Sequence, residues 1–213
     1  MALFLSRSQG GKKLSENVDD KTFSRFIFRV CPHHYLGFDL HPKVRGAMNK
    51  PSISCRKAML DDPEDAKLVV NLLDLYASDP MGGGQPLPHS VKNALPKCLA
   101  QRPSIHVILA TLHDETAGIA VCIESFSTFA CKPVLNIHDL AVIPSRRRRG
   151  IGGALLLEVE KLASELDCCK LTLEVLSKNF SAQHLYTKYG FKSYDLKAQT
   201  GPTFFWQKKL HET

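Results

Sequence analysis

Leu135 to Leu166 reads LNIHDLAVIPSRRRRGIGGALLLEVEKLASEL, and the rest of the chain is organised around it. Leu135 to Ile143 is apolar and rich in β-branched residues, the pattern of a buried strand. Pro144 and Ser145 end that strand. Ile151, Leu155, Val159, Leu162 and Leu166 then recur at helical spacing, so an amphipathic helix follows. Between strand and helix lies RRRRGIGG, Arg146 to Gly153. Its glycines leave the backbone open to close approach. The first turn of a helix carries unpaired N–H groups and a partial positive charge, which suit a phosphate or pyrophosphate. Arginines add charge-assisted bonds to the same anion. The stretch therefore reads as a pyrophosphate cradle. It is not a Walker loop, because no Gly-Lys-Ser/Thr follows. It is not the dinucleotide fingerprint, which has a third glycine and no basic run.

A run of four arginines alone would equally suit a solvated face, a nuclear-import signal or a nucleic-acid patch. The charge distribution bears on this. The 213 residues carry a formal net charge of +7. Residues 1–50 hold nine Lys/Arg against four Asp/Glu, and the remainder nineteen against seventeen. The later part is nearly balanced, which argues against a general nucleic-acid binder. Seven cysteines without a Cys-x-x-Cys favour reduced thiols inside a cell, with Cys168 and Cys169 structural. No apolar run approaches the roughly 18 residues of a membrane span. The expectation is an intracellular protein without membrane attachment, cytoplasmic or nuclear, or imported into an organelle through its N-terminal extension.

Two motifs carry a family resemblance. Arg147-x-x-Gly150-x-Gly152 resembles the acetyl-CoA signature of the GNAT N-acetyltransferases, Gln/Arg-x-x-Gly-x-Gly/Ala. The preceding HDLAVIP resembles their fourth strand. Leu171 to Phe191, LTLEVLSKNFSAQHLYTKYGF, resembles their fifth strand, the loop with its Asn, and the Leu-Tyr-x-x-x-Gly-Phe helix. The resemblance covers about Ile53 to Leu210. It implies an α/β fold: a mixed, mostly antiparallel sheet with a splayed parallel strand pair and helices on both faces. It implies acetyl-CoA as co-substrate and a primary amine as acceptor.

The resemblance also implies site residues. The cofactor would lie against Arg147, Arg148, Arg149, Gly150, Ile151, Gly152 and Gly153. A backbone N–H near Leu140, Ala141 and Val142 would hold the thioester carbonyl, where the family parts its fourth and fifth strands. Asn179 would contact the coenzyme or cap the following helix. Tyr186 matches the tyrosine that commonly protonates the coenzyme A sulfur. Glu174, in LEV twelve residues before Tyr186, matches the base of the bacterial ribosomal-protein N-terminal alanine acetyltransferases. Leu176 stands where those enzymes have Arg, so their substrate does not carry over. His138 stands where several small-amine acetyltransferases keep a His or Glu, and histidine titrates near neutrality. Asp139 would instead bind a cationic acceptor. A different class stays open: a non-catalytic acyl-CoA-binding module on the same fold.

Outside these motifs the chain reads as follows. Residues 1–50 have little periodicity and read as a poorly structured basic extension. MALFLSRSQGGKKLS is faintly like an organelle transit peptide, until Glu16, Asp19 and Asp20 interrupt it. His33, His34 and His41 lack ligand spacing, so no metal site is expected. Residues 51–213 read as one domain. Ile53 to Met59 is a first strand. Asp61-Asp62-Pro63-Glu64 announces a helix, with Ala66, Val69, Val70, Leu73 and Tyr76 on its apolar face. Ser78 to Ser90, SDPMGGGQPLPHS, is a loop with mobile and stiff parts, longer than a connector needs. The resemblance puts Asp79 to Pro88, with Met81, Gly82, Gly83 and Gly84, on the acceptor side. A short helix over Ser90 to Leu99 and strands Ile105 to Thr111 and Ala117 to Phe126 follow. Lys192 to Leu196 and Thr203 to Lys209 are expected to close the sheet as a hairpin. The acceptor is open: small amine, amino acid or protein amine.

Overall fold

The computed structural model describes residues 52–193, 206–208 and 210. The extension over residues 1–50 lies outside the described residues, and so does most of the expected closing hairpin. One sheet runs in the order β1 (Ile53–Lys57), β2 (Ile105–Leu112), β3 (Glu115–Ser127), β4 (Lys132–Val142) and β5 (Leu171–Leu173). The first four strands are antiparallel, and β5 lies parallel to β4. A parallel neighbour needs a crossover, which α3 (Ile151–Glu165) supplies. The β2–β3 turn is tight because His113 and Asp114 both take positive φ, the geometry a two-residue hairpin demands.

Two cores flank the sheet. On one face Ile108, Ala110, Ala120, Cys122, Leu135 and Ile137 meet Ile151, Leu155, Leu156 and Val159 of α3. On the other, Val107, Leu109, Ile119 and Val121 meet Val69 and Leu72 of α1 (Pro63–Ser78) and Leu99 of α2 (His89–Ala100). A fully buried leucine or valine contributes about 1.5–3 kcal/mol, so both layers matter to stability. Mixed sheet and helices on both faces agree with the sequence expectation.

Two differences have physical causes. The buried stripe of α1 is rotated from the expected one: Asp65, Val69 and Leu72 are its buried residues. Asp65 is tolerated there because Arg56 grips it with two bonds of 2.6 and 2.5 Å and the Met59 N–H donates at 2.7 Å. The Arg56 bond, outweighing burial, holds its carboxyl down at about 2. Second, β5 ends at Leu173. Glu174, expected on the fifth strand, lies just beyond it and is exposed.

Candidate functional site

The site is built where β4 and β5 part. Their last pair is Ile137↔Leu173, yet β4 continues to Val142. From His138 onward, the edge of β4 that faced β5 has no strand beside it among the described residues. His138 and Glu174 are the next residue on each strand, so the register brings both sequence-predicted bases to the mouth of the gap. Both are exposed.

A β-bulge then sets which way β4 points. Cys122 pairs with Ile137 and Val121 with Asp139, so His138 is the extra residue. Before the bulge, Leu135 and Ile137 face α3. After it, Leu140 and Val142 face α3, and Ala141 and Ile143 face α1. Alternation puts Asp139 on the α1 face with Ala141. Without the bulge the whole end of β4 would turn over. Asp139 is partly buried, and its side chain makes no hydrogen bond or ion pair with any described residue. Burial pushes its carboxyl up, and His138 pulls it partway back.

One tyrosine feels its charge, and a second stands near that tyrosine. Tyr76, near the end of α1, is pushed up by burial, then by the charges of Asp139 and Asp79. Tyr186 is pushed up to about 12 by burial, with Tyr76 adding to the effect. Tyr186 lies on α4 (Phe180–Lys188), whose ends are well defined. Asn179 caps it, its Oδ1 accepting the Ala182 N–H at 3.2 Å. Gly190 takes φ +86°, and Phe191 donates back to the Tyr186 carbonyl at 3.0 Å, closing the helix as a glycine terminator does. The same turn brings the Phe191 ring to 5.8 Å from that of Tyr186.

The basic loop lies beyond β4. Pro144–Arg146 forms one 3-10 turn, and Gly150, at φ +91°, precedes α3. A side chain at that φ would be strained. The first bond of α3 runs from the Ala154 N–H to the Gly150 carbonyl. The N–H groups of Arg148 through Gly153 find no acceptor among the described residues. These are the orphan donors of a helix start, and the last two belong to residues without side chains. Arg148 and Arg149 are exposed. Arg146 bonds Glu115 and, at 3.4 Å, the Leu112 carbonyl. Arg147 donates from Nε to the Val142 carbonyl at 3.1 Å and from Nη2 to Asp79 Oδ2 at 2.7 Å.

The glycine pair has a second task that the sequence did not reveal. A Cβ on Gly152 would come within 2.9 Å of Leu185 Cδ2, and one on Gly153 within 2.0 Å of the Tyr189 hydroxyl oxygen. Both glycines admit α4 against α3. Gly153→Ala is expected to cost about 1–3 kcal/mol by overpacking, a fall of several degrees in Tm. The penalty should shrink in a Tyr189→Phe background, which removes the closest atom. An unchanged Tm in Gly153→Ala would contradict this packing.

The glycine loop after α1 is tied together by backbone hydrogen bonds. The Asp79 carbonyl accepts the N–H groups of Gly82 and Gly84, and the Ala77 carbonyl those of Gly83 and Gln85. A Cβ on Gly82 would sit 2.0 Å from the Tyr76 carbonyl oxygen, so only glycine fits there. Leu87 and Lys92 both bond Asp74, returning the chain along α1. Sequence reasoning placed Asp79 at the start of the acceptor-side loop without its link to Arg147, and it read Tyr76 only as part of the apolar face of α1. Their only signal was position: both sit at the end of a helix leading into the glycine loop.

The family model described as "Acetyltransferase (GNAT) family" matches residues 69–191. An uncharacterized N-acetyltransferase, YhfO, of Bacillus subtilis (strain 168) is 29% identical over 86 residues, 40% of this chain and 58% of that protein. Another uncharacterized N-acetyltransferase, from Archaeoglobus fulgidus, is 34% identical over 97 residues, covering 45% and 65%. The chain thus matches less than two thirds of the length of these curated relatives. Among solved structures, a probable acetyltransferase overlays with a TM-score of 0.60 at 22% identity, covering 74% of this chain and 98% of that one. AAC(6')-Iy in complex with the bisubstrate analog CoA-S-monomethyl-acetylneamine overlays with a TM-score of 0.58 at 17% identity, covering 74% and 99%. At these identities the overlays speak to the fold.

Proposed function

Since this chain belongs to the GNAT family of acetyltransferases, we propose that it transfers the acetyl group of acetyl-CoA directly to a primary amine. The observation that carries the reading is the row of unpartnered N–H groups from Arg148 to Gly153 beside the gap between β4 and β5. An anion of pyrophosphate size meets donors there that nothing else uses, with Arg148 and Arg149 to balance its charge. The stretch Leu140 to Val142, whose outer edge has no strand beside it among the described residues, offers the thioester carbonyl a backbone donor. The AAC(6')-Iy structure is of a complex with a CoA bisubstrate analog, which favours the same cofactor here.

The chemistry then divides among this chain's residues. The acceptor amine must lose a proton, its nitrogen bonds the acetyl carbon, and the carbon–sulfur bond breaks. His138 or Glu174, the pair at the mouth of the gap, takes the proton from the amine. Tyr186 donates one to the departing sulfur. At about 12 its phenol stays protonated across any working pH. The Asp139 carboxyl, without a bonded side-chain partner among the described residues, binds a cationic amine on the α1 side once ionised. Met81 to Gly84 line the acceptor's approach. An acceptor of lysine type, near pKa 10.4, costs roughly 4–5 kcal/mol to deprotonate at neutral pH, and an α-amine near 8 about 1. The need for the base therefore scales with the acceptor.

A panel of a polyamine, an aminoglycoside, free amino acids, an N-terminal peptide and a lysine peptide tests the reading by free-thiol release from acetyl-CoA. Thiol release with at least one of them, matched by acetylated product, is expected. Coenzyme A binding without turnover on any amine would instead indicate a non-catalytic acyl-CoA-binding module.

A further inference from the structure

The Arg147 side chain leaves the basic loop and runs to α1. Its Nη2 bonds Asp79 Oδ2 at 2.7 Å while its Nε holds the Val142 carbonyl at 3.1 Å, at the end of β4. Asp79 is the hub of the glycine loop. Its other oxygen accepts the Met81 N–H at 2.8 Å, and its carbonyl accepts Gly82 and Gly84. The Asp79 side chain is 15% exposed and Arg147 49%, so the carboxylate is the sheltered partner. Sixty-eight residues separate the two in sequence. One guanidinium thus ties the loop read as the cofactor cradle to the loop read as the acceptor wall.

We propose that Arg147 and Asp79 form a positioning strut that couples the two substrate sites, and that Arg147 serves this strut rather than the pyrophosphate. The proposal rests on the acetyl-transfer reading for what the two loops bind. Arg147 immediately follows the 3-10 turn, its N–H bonded to the Pro144 carbonyl, and adjoins the free amides that begin at Arg148. An anion held by those amides restricts the backbone that carries Arg147. The restriction passes through its planar fork to Asp79, and through Asp79 to Met81, Gly82 and Gly84. Cofactor binding then orders the acceptor wall. By linkage, the acceptor strengthens cofactor binding by the same factor. Asn at position 79 keeps an acceptor for the Met81 N–H while removing the charge, so it isolates the strut from the turn.

The test has two arms on the full-length protein. In the first, amide hydrogen exchange at Met81, Gly82 and Gly84 is followed with and without acetyl-CoA. Acetyl-CoA should add protection in the parent and not in Asp79→Asn or Arg147→Ala. In the second, the best acceptor of the amine panel is titrated. Each single variant should raise the acceptor KM about fivefold, the scale of a good partly exposed ion pair. Their acetyl-CoA Kd and kcat should stay within about twofold. The double variant should be no worse than either single one, because the pair acts as a unit. Equal exchange in parent and variants overturns the proposal. So does Arg147→Ala weakening acetyl-CoA while Asp79→Asn does not, which would make Arg147 a pyrophosphate ligand. A parent that acetylates no amine overturns the acetyl-transfer reading instead. The exchange arm needs no turnover and still decides the strut.

Discussion

Tyr186→Phe is expected to lower kcat by about 10²- to 10⁴-fold, the range for a positioned acid, with little change in stability or acetyl-CoA affinity. Phenylalanine keeps the tilted contact with Phe191, whose ring centroid lies 5.8 Å away. Only the hydroxyl is lost. The pH profile gives a second readout. Burial first, then Tyr76, raise the phenol to about 12. The protonated form is the donor, so its contribution is present below that value and lost as pH rises through it. No basic limb from this group should appear below about pH 11, whereas an ordinary tyrosine would titrate near 10. A parental rate in Tyr186→Phe, with chemistry rate-limiting, would remove the residue from the mechanism. A basic limb near 10 that vanishes in the variant would keep the role and refute the buried environment.

Asp139→Asn is expected to lower kcat/KM for a cationic acceptor by about 10²-fold, the cost of removing one member of a desolvated charge pair. Its effect on stability should run the other way. Burial raises this carboxyl above its ordinary value, against the smaller pull of His138. A group with a raised folded pKa contributes its stability below the unfolded pKa and loses it as pH rises through the folded one. Ionised Asp139 therefore costs stability at neutral pH, and Asn should leave Tm unchanged or higher. Acceptor kcat/KM in the parent should climb as Asp139 ionises, and that climb should be missing in Asn. A variant that melts lower while accepting amines normally would make Asp139 a structural residue. The opposed signs separate the two explanations, since losing a purely structural carboxylate lowers Tm.

The chain's own order already contained most of the local story. The period of Ile151, Leu155 and Val159 placed α3, because every third or fourth residue returns to one helical face. Asp62 and Pro63 announced α1, and Asn179 offered a cap for α4, because capping chemistry acts within a few residues. Those signals, with Arg147-x-x-Gly150-x-Gly152, made the mixed fold and the family legible. What tertiary structure alone decided involves partners far apart in sequence. The bulge at His138 exists only against Cys122 and Val121, and it chooses the face on which Asp139 stands. The gap at the end of β4 appears only because β5 stops at Leu173. Gly153 is glycine for Tyr189 as well as for its free amide. Arg147 reads as one of four equivalent cations until Asp79, folded in from the end of α1, claims it. Propensity and spacing act over a turn or two. Register, burial and ion pairing are settled by which distant residues the packed sheet brings together.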